Sequence, residues 1–141
     1  MKKTIYAKNK GQSLVEFALV LPVLLLIAVM VFDLGRAVYY SSTIHNAARE
    51  GARYGIVHPD DETGMKQRAI DYAIGLGLQQ SDIQINLNIP EDKESFPPPQ
   101  VTVIINFDFI PATPLVSSLI PGGQISLRGE AVMKLEALPQ N

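Results

Sequence analysis

The 141-residue chain is 47% hydrophobic and carries 12 basic and 14 acidic side chains, a formal charge of −2. Four of the basic residues (Lys2, Lys3, Lys8 and Lys10) fall in the first ten positions, where no acid occurs, so the rest is an acidic body of 8 against 14 that repels a phosphate backbone and excludes nucleic acid as a partner. There is no cysteine, which excludes disulfides, thiol nucleophiles and thiolate metal sites, and the length allows one ordinary domain or a small domain plus a separate element.

The first element is the stretch from Leu14 to Phe32, 19 residues in which Glu16 is the single charge. As a helix rising ~1.5 Å per residue it spans about 28 Å, close to the ~30 Å hydrocarbon core of a bilayer. A chain of this size cannot surround such a helix on all sides, so the stretch predicts a membrane anchor. The lysines before it predict a cytoplasmic N-terminus and an outward-facing remainder. The stretch is too long for the apolar core of a secretory signal, and Asp33-Leu34-Gly35-Arg36 after it lacks the Ala-x-Ala pattern of a cleavage site. The small residue is instead Gly11, directly before the apolar run, where a cut would remove residues 1–11 and leave the anchor attached.

A carboxylate inside an apolar span costs a few kcal/mol unless it is paired. Glu16 either reaches interfacial water near the cytoplasmic end or serves an assembly contact. It lies five residues beyond Gly11, at the depth of the amine that a cut would create on Gln12. That amine on one copy can neutralise Glu16 on a neighbour, which rewards lateral association. Pro22 lies inside the span and predicts a kink, because it removes one helical N–H and crowds the preceding turn.

Beyond the span, Leu34, Ala37, Val38, Ser41, Ile44, Ala48, Ala52 and Gly55 recur at three- and four-residue steps and mark one helix face. One long helix from about Ser13 to Ile56 is the simplest reading. Ala48–Ala52 and Gly51–Gly55 are small-xxx-small pairs that permit close backbone approach, either of the chain's own globular part or of a neighbouring subunit. Glycine at 51 and 55 weakens the helix by roughly 1 kcal/mol each relative to Ala, which favours an earlier end. Arg49, Glu50 and Arg53 suit a solvated face with local ion pairs.

The stretch Gly11-Gln12-Ser13-Leu14-Val15-Glu16-Phe17-Ala18-Leu19-Val20-Leu21-Pro22 resembles the N-terminus of the TadE-like family of pilus pseudopilins. Asp33-Leu34-Gly35-Arg36 and the block Ala47-Ala48-Arg49-Glu50-Gly51-Ala52-Arg53 extend that resemblance to about a third of the chain. The resemblance implies cleavage after Gly11 by a prepilin peptidase and a minor, pilin-like role in building a Tad (Flp) type IV pilus. Its implied partners are other pilins and pseudopilins and the pilus assembly machinery. It also implies a single-pass cytoplasmic-membrane protein that presents its C-terminal part to the periplasm or the exterior. The family's major pilin is essentially leader plus helix, so the ~85 further residues here point to a minor component.

His58-Pro59-Asp60-Asp61-Glu62 places three carboxylates beside an imidazole, but the spacing fits no cation-loop pattern. A turn at Pro59 with Asp60 or Asp61 capping a helix accounts for it better, and no metal is expected. That helix is predicted to run to about Leu76, with Met65, Ala69, Tyr72, Ala73 and Leu76 on its apolar face and Gly77 as C-cap.

After Ser81 the period changes to two. Ile83, Ile85, Leu87 and Ile89 form one alternating set, and Val101, Val103, Ile105, Phe107 and Phe109 a second. Ile125, Leu127, Ala131, Met133 and Leu135 form the third. These predict three strands of an antiparallel sheet with one wet face. A proline-rich loop over 90–100 joins the first two. A connection over 111–124 joins the last two, with a helical turn near Leu115–Leu119 and a turn at Pro121-Gly122-Gly123. The expected fold is α+β: a long, pilin-like N-terminal membrane helix leading into a small head with a second helix and a three-stranded antiparallel sheet. The expected organisation is a leader over 1–11, a long helix over 12–57 spanning the membrane at about 14–32, and an extracytoplasmic head over 58–141.

No Gly-x-Ser-x-Gly, phosphate-binding glycine loop or metal-spaced His pair occurs, and the two histidines, His45 and His58, are isolated in sequence. No catalytic residue, cofactor or small-molecule substrate is therefore expected. A permanently anchored binding module that displays the 90–100 loop is the alternative to a filament component.

Overall fold

A computed structural model describes residues 10–90 and 97–135. The basic leader before Lys10 and the centre of the proline-rich loop lie outside the described residues. Helix α1 (Lys10–Val57) is followed by α2 (Glu62–Tyr72), β1 (Ile83–Asn88), β2 (Gln100–Phe109), the short α3 (Pro114–Leu119) and β3 (Ile125–Lys134). The strands form one antiparallel sheet in the order β1-β2-β3, with β2 central. Ile83 faces Ile105 and Leu87 faces Val101 across the first pair, while Val101 faces Met133 and Phe109 faces Ile125 across the second. The α+β expectation, with its long helix, second helix and three strands, is borne out.

The sheet lies along the upper part of α1, and α2 fills the remaining side. Period-two alternation turns Val101, Val103, Ile105 and Phe109 inward; the first three meet Ile44, Ala47, Ala48 and Ala52 of α1 and Met65 and Ala69 of α2. Small residues on α1 make this approach possible. A Cβ at Gly51 would stand 3.0 Å from the Met65 carbonyl oxygen, and one at Gly55 would stand 3.3 Å from Val101 Cγ2. The helix runs through both glycines because the packing they admit outweighs their weak propensity. The closest approach is on β3: a Cβ at Gly129 would come within 2.7 Å of the Ile44 backbone, so only glycine lets this strand lie directly on α1.

Two expectations are corrected. Helix α2 ends at Tyr72 rather than near Leu76. The Ala73 N–H donates to both Ala69 and Ile70 carbonyls, and Gly75 and Gly77 then take left-handed φ values of +95° and +71°. Those two residues turn the chain back toward β1, so the last apolar positions belong to a turn and not to a fourth helical turn. The second correction concerns the lower part of the α1 face. Leu34 and Val38 are exposed, and the covered line passes instead through Asp33, Ala37, Tyr40 and Ile44. Tyr40 packs edge-on against Phe107 and Phe109, with ring centroids 5.6 Å apart in each case.

Candidate functional site: the apolar half of α1 and its junction with the head

Helix α1 divides into two halves of opposite character. Every residue from Gly11 to Phe32 is exposed, whereas Ile44, Ala47, Ala48, Gly51, Ala52 and Gly55 are buried beneath the chain's own sheet and second helix. Among the described residues, α1 is the one helix long and apolar enough to cross a membrane, a character consistent with a membrane anchor. The small-residue face formed by Ala48, Gly51, Ala52 and Gly55 is filled by Met65, Ala69, Val101 and Val103 of the same chain.

In the exposed half, Gly11 and Gln12 lie in the first turn of α1 and Glu16 in the second. Gln12 Nε2 donates to Glu16 Oε1 at 3.3 Å, the i,i+4 geometry of one helix face. This partner is a neutral amide, and among the described residues no ion pair to the carboxylate is present. Pro22 lies within α1, where its ring removes the N–H that would bond the Ala18 carbonyl.

The junction is organised by Asp33. Its side chain, 6% exposed, accepts hydrogen bonds from the backbone N–H of Ala112 at 2.9 Å and of Thr113 at 3.0 Å, and from the Thr113 hydroxyl. Arg36, one turn further, approaches the same carboxylate at 3.4 Å. Its guanidinium also lies 5.6 Å from the Tyr40 ring centroid and 5.4 Å from that of Phe109. A buried carboxylate with three donors and a cation is well compensated, so Asp33 ties the β2–α3 connection to the first turn of α1 beyond the apolar stretch. Sequence reasoning assigned Asp33 to a family block and missed this role. The signal was its place three and four residues ahead of Arg36 and Ala37, in step with the buried face.

At the far end of the head, Asp61 caps α2. Its carboxylate accepts from the Gly64 N–H at 2.8 Å and from the Tyr54 hydroxyl at 2.7 Å. Those bonds, the Tyr54 hydroxyl foremost, hold the Asp61 pKa below the usual carboxylate value, and His58 adds to the effect. His58 stacks on the Tyr54 ring at 4.7 Å. Among the described residues, no three His, Asp or Glu side chains converge as a metal site requires. His45 Nδ1–H donates to the Ser41 carbonyl at 2.8 Å, and Arg53 pairs with Glu50 at 3.2 Å. Asp108 accepts from the Ser126 hydroxyl at 2.6 Å on the wet face of the sheet.

Residues 11–53 match the family model described as TadE-like protein. The match covers the exposed apolar half of α1, Asp33 and Arg36, and the buried small-residue face as far as Arg53. No curated protein and no solved structure matches the chain.

Proposed function

We propose, from the match of residues 11–53 to the TadE-like family model, that this chain has a structural role in Tad (Flp) pilus biology, as a minor pilin or pseudopilin. In this reading the leader is removed after Gly11 by a prepilin peptidase. The stretch from Leu14 to Phe32 then anchors the chain in the cytoplasmic membrane, with the head outside. The observation that carries the reading is the division of α1. Its upper half is covered by the chain's own head, while its lower half offers an apolar surface, with Glu16 as the one charge between Leu14 and Phe32, that needs lipid before assembly and other pilin helices after it.

Glu16 supplies the selectivity of that exchange. In lipid its charge is costly, and the Gln12 amide that reaches it is neutral. The α-amine created on Gln12 by cleavage lies only about one helical turn away along the axis, so a neighbouring copy displaced by that rise can bring its amine to the carboxylate. Pro22 frees a backbone carbonyl in the same segment, and a kink there would let the lower half bend against a filament while the upper half stays fixed to the head.

Intact mass and N-terminal sequencing of the chain from native membranes or sheared filaments test the proposal. The expected chain begins at Gln12. A chain that retains Lys8-Asn9-Lys10-Gly11 in a host with an active prepilin peptidase would instead favour an anchored binding module. The fold suits that second reading in one respect. The strand ends Asn88 and Gln100, which flank the proline-rich loop, lie at the end of the sheet near Gly55, far from the anchor.

A further inference from the structure

The connection between β2 and β3 has an unusual composition for a loop that closes a head. From Phe109 to Leu127 it contains no charged residue. Ile110 is 62% exposed and Leu119 is 77% exposed. The level of this segment along α1 is fixed by two independent contacts. Asp33 holds the backbone of Ala112 and Thr113, and Val116 of α3 shares an apolar groove of about 220 Å³ with Met30, Leu34, Phe109 and Ile125. Met30 belongs to the apolar stretch, so α3 lies beside its last turn. The other end of the sheet, where Val101 meets Gly55, is 22 residues further along α1, about 33 Å away.

We propose that the segment from Ile110 to Ile125 is a membrane-interface element, seated among the lipid headgroups where α1 leaves the bilayer, so that the head rests on the membrane. The inference rests on the reading of residues 14–32 as a membrane span. Continuity with that span identifies the occupant as lipid, because a segment pinned beside Met30 and Asp33 shares the depth of the headgroups whatever else surrounds the head. Its chemistry fits that depth: apolar side chains without charges, interspersed with Ser, Thr, Pro and Gly. Arg36, whose side chain remains 44% exposed at the same level, adds a cation where lipid phosphates lie. Entry into a filament then requires this contact to be released together with the span.

The chain contains no tryptophan, so single substitutions report their own surroundings. Leu119→Trp and Ile110→Trp, both at exposed positions, are made in the full chain and reconstituted in phosphatidylcholine–phosphatidylglycerol vesicles. The lipids are brominated either near the headgroup or near the chain ends. Leu25→Trp reports the span, and Val132→Trp, exposed near the far end of the sheet, reports bulk water. The expected result is blue-shifted emission from positions 119 and 110, quenched most by bromine near the headgroup and shielded from aqueous acrylamide. Emission like that of Val132→Trp, with Leu25→Trp still quenched by deep bromine, overturns the interface element and leaves the span intact. Shielding from acrylamide without bromolipid quenching assigns the surface to a second copy and also overturns it. An unquenched Leu25→Trp defeats the membrane reading itself, and the inference with it.

Discussion

Asp33 shows how one side chain decides where two segments meet. The carboxylate is buried and satisfied by donors that come almost entirely from a loop 79 and 80 residues away in sequence. Replacing it by Asn keeps the shape but removes the charge that strengthens those bonds. Asp33→Asn is expected to speed amide hydrogen exchange at Ala112 and Thr113 by roughly an order of magnitude or more, with core amides of β2 unaffected. Asp61 makes a different prediction, because its lowered folded pKa ties stability to pH. A depressed carboxylate contributes stability that is fully present above the ordinary Asp value of about 3.9, and that is lost as the pH falls through the lower folded value. Asp61→Asn still caps α2, so its melting temperature in detergent should lie below that of the parent chain at neutral pH. The gap should close as the pH falls below the ordinary Asp value and through the lower folded one, where the parent carboxylate becomes protonated.

Helix α1 is a single element with two environments, and its glycines and alanines determine how the head seats on it. Gly129 supplies the matching gap on β3. Valine there gains up to ~1 kcal/mol of strand preference but drives a side chain into the Ile44 backbone, which costs about 1–3 kcal/mol or more. The clash is against backbone and cannot be relieved by a rotamer change, so the cost dominates. Gly129→Val is expected to lower the midpoint of denaturant unfolding of the detergent-solubilised chain, whereas Val132→Ala on the exposed face should leave it nearly unchanged. Phe109 closes the same interface at the end nearer the apolar half of α1, and Phe109→Ala should cost about 3–5 kcal/mol in the same measurement.

Across the whole molecule, the buried face of α1 secures the head, and the chain itself leaves the apolar half of the helix uncovered. Glu16→Ala leaves every described contact of the head untouched, because Glu16 lies far from the sheet and, among the described residues, bonds locally to Gln12. The variant is therefore expected to be processed and to remain in the membrane, yet to be absent from sheared filaments or from the complex that initiates them. Normal pilus number and length in its presence would rule out the pairing of Glu16 with a cleaved N-terminus. The plan of the molecule was largely legible beforehand. The change of period at Ser81 located the sheet, and the three- and four-residue steps from Ile44 to Gly55 located the buried face. The lower part of that face was legible at Ala37 alone, because its other members are Asp33 and Tyr40. A period analysis of apolar residues passes over a carboxylate and a tyrosine even when both are covered.

The apolar run, the lone Glu16, Gly11 ahead of it and the alternation of the strands were readable from local composition and spacing, since each depends on neighbours within a few residues. The ownership of the small-residue face and the end of α2 were not. Nor was the attachment of the β2–α3 connection to Asp33, or the need for glycine at position 129. Each of these depends on which distant segment arrives at a given surface, and that is fixed only when the sheet, with its register, closes over the helix.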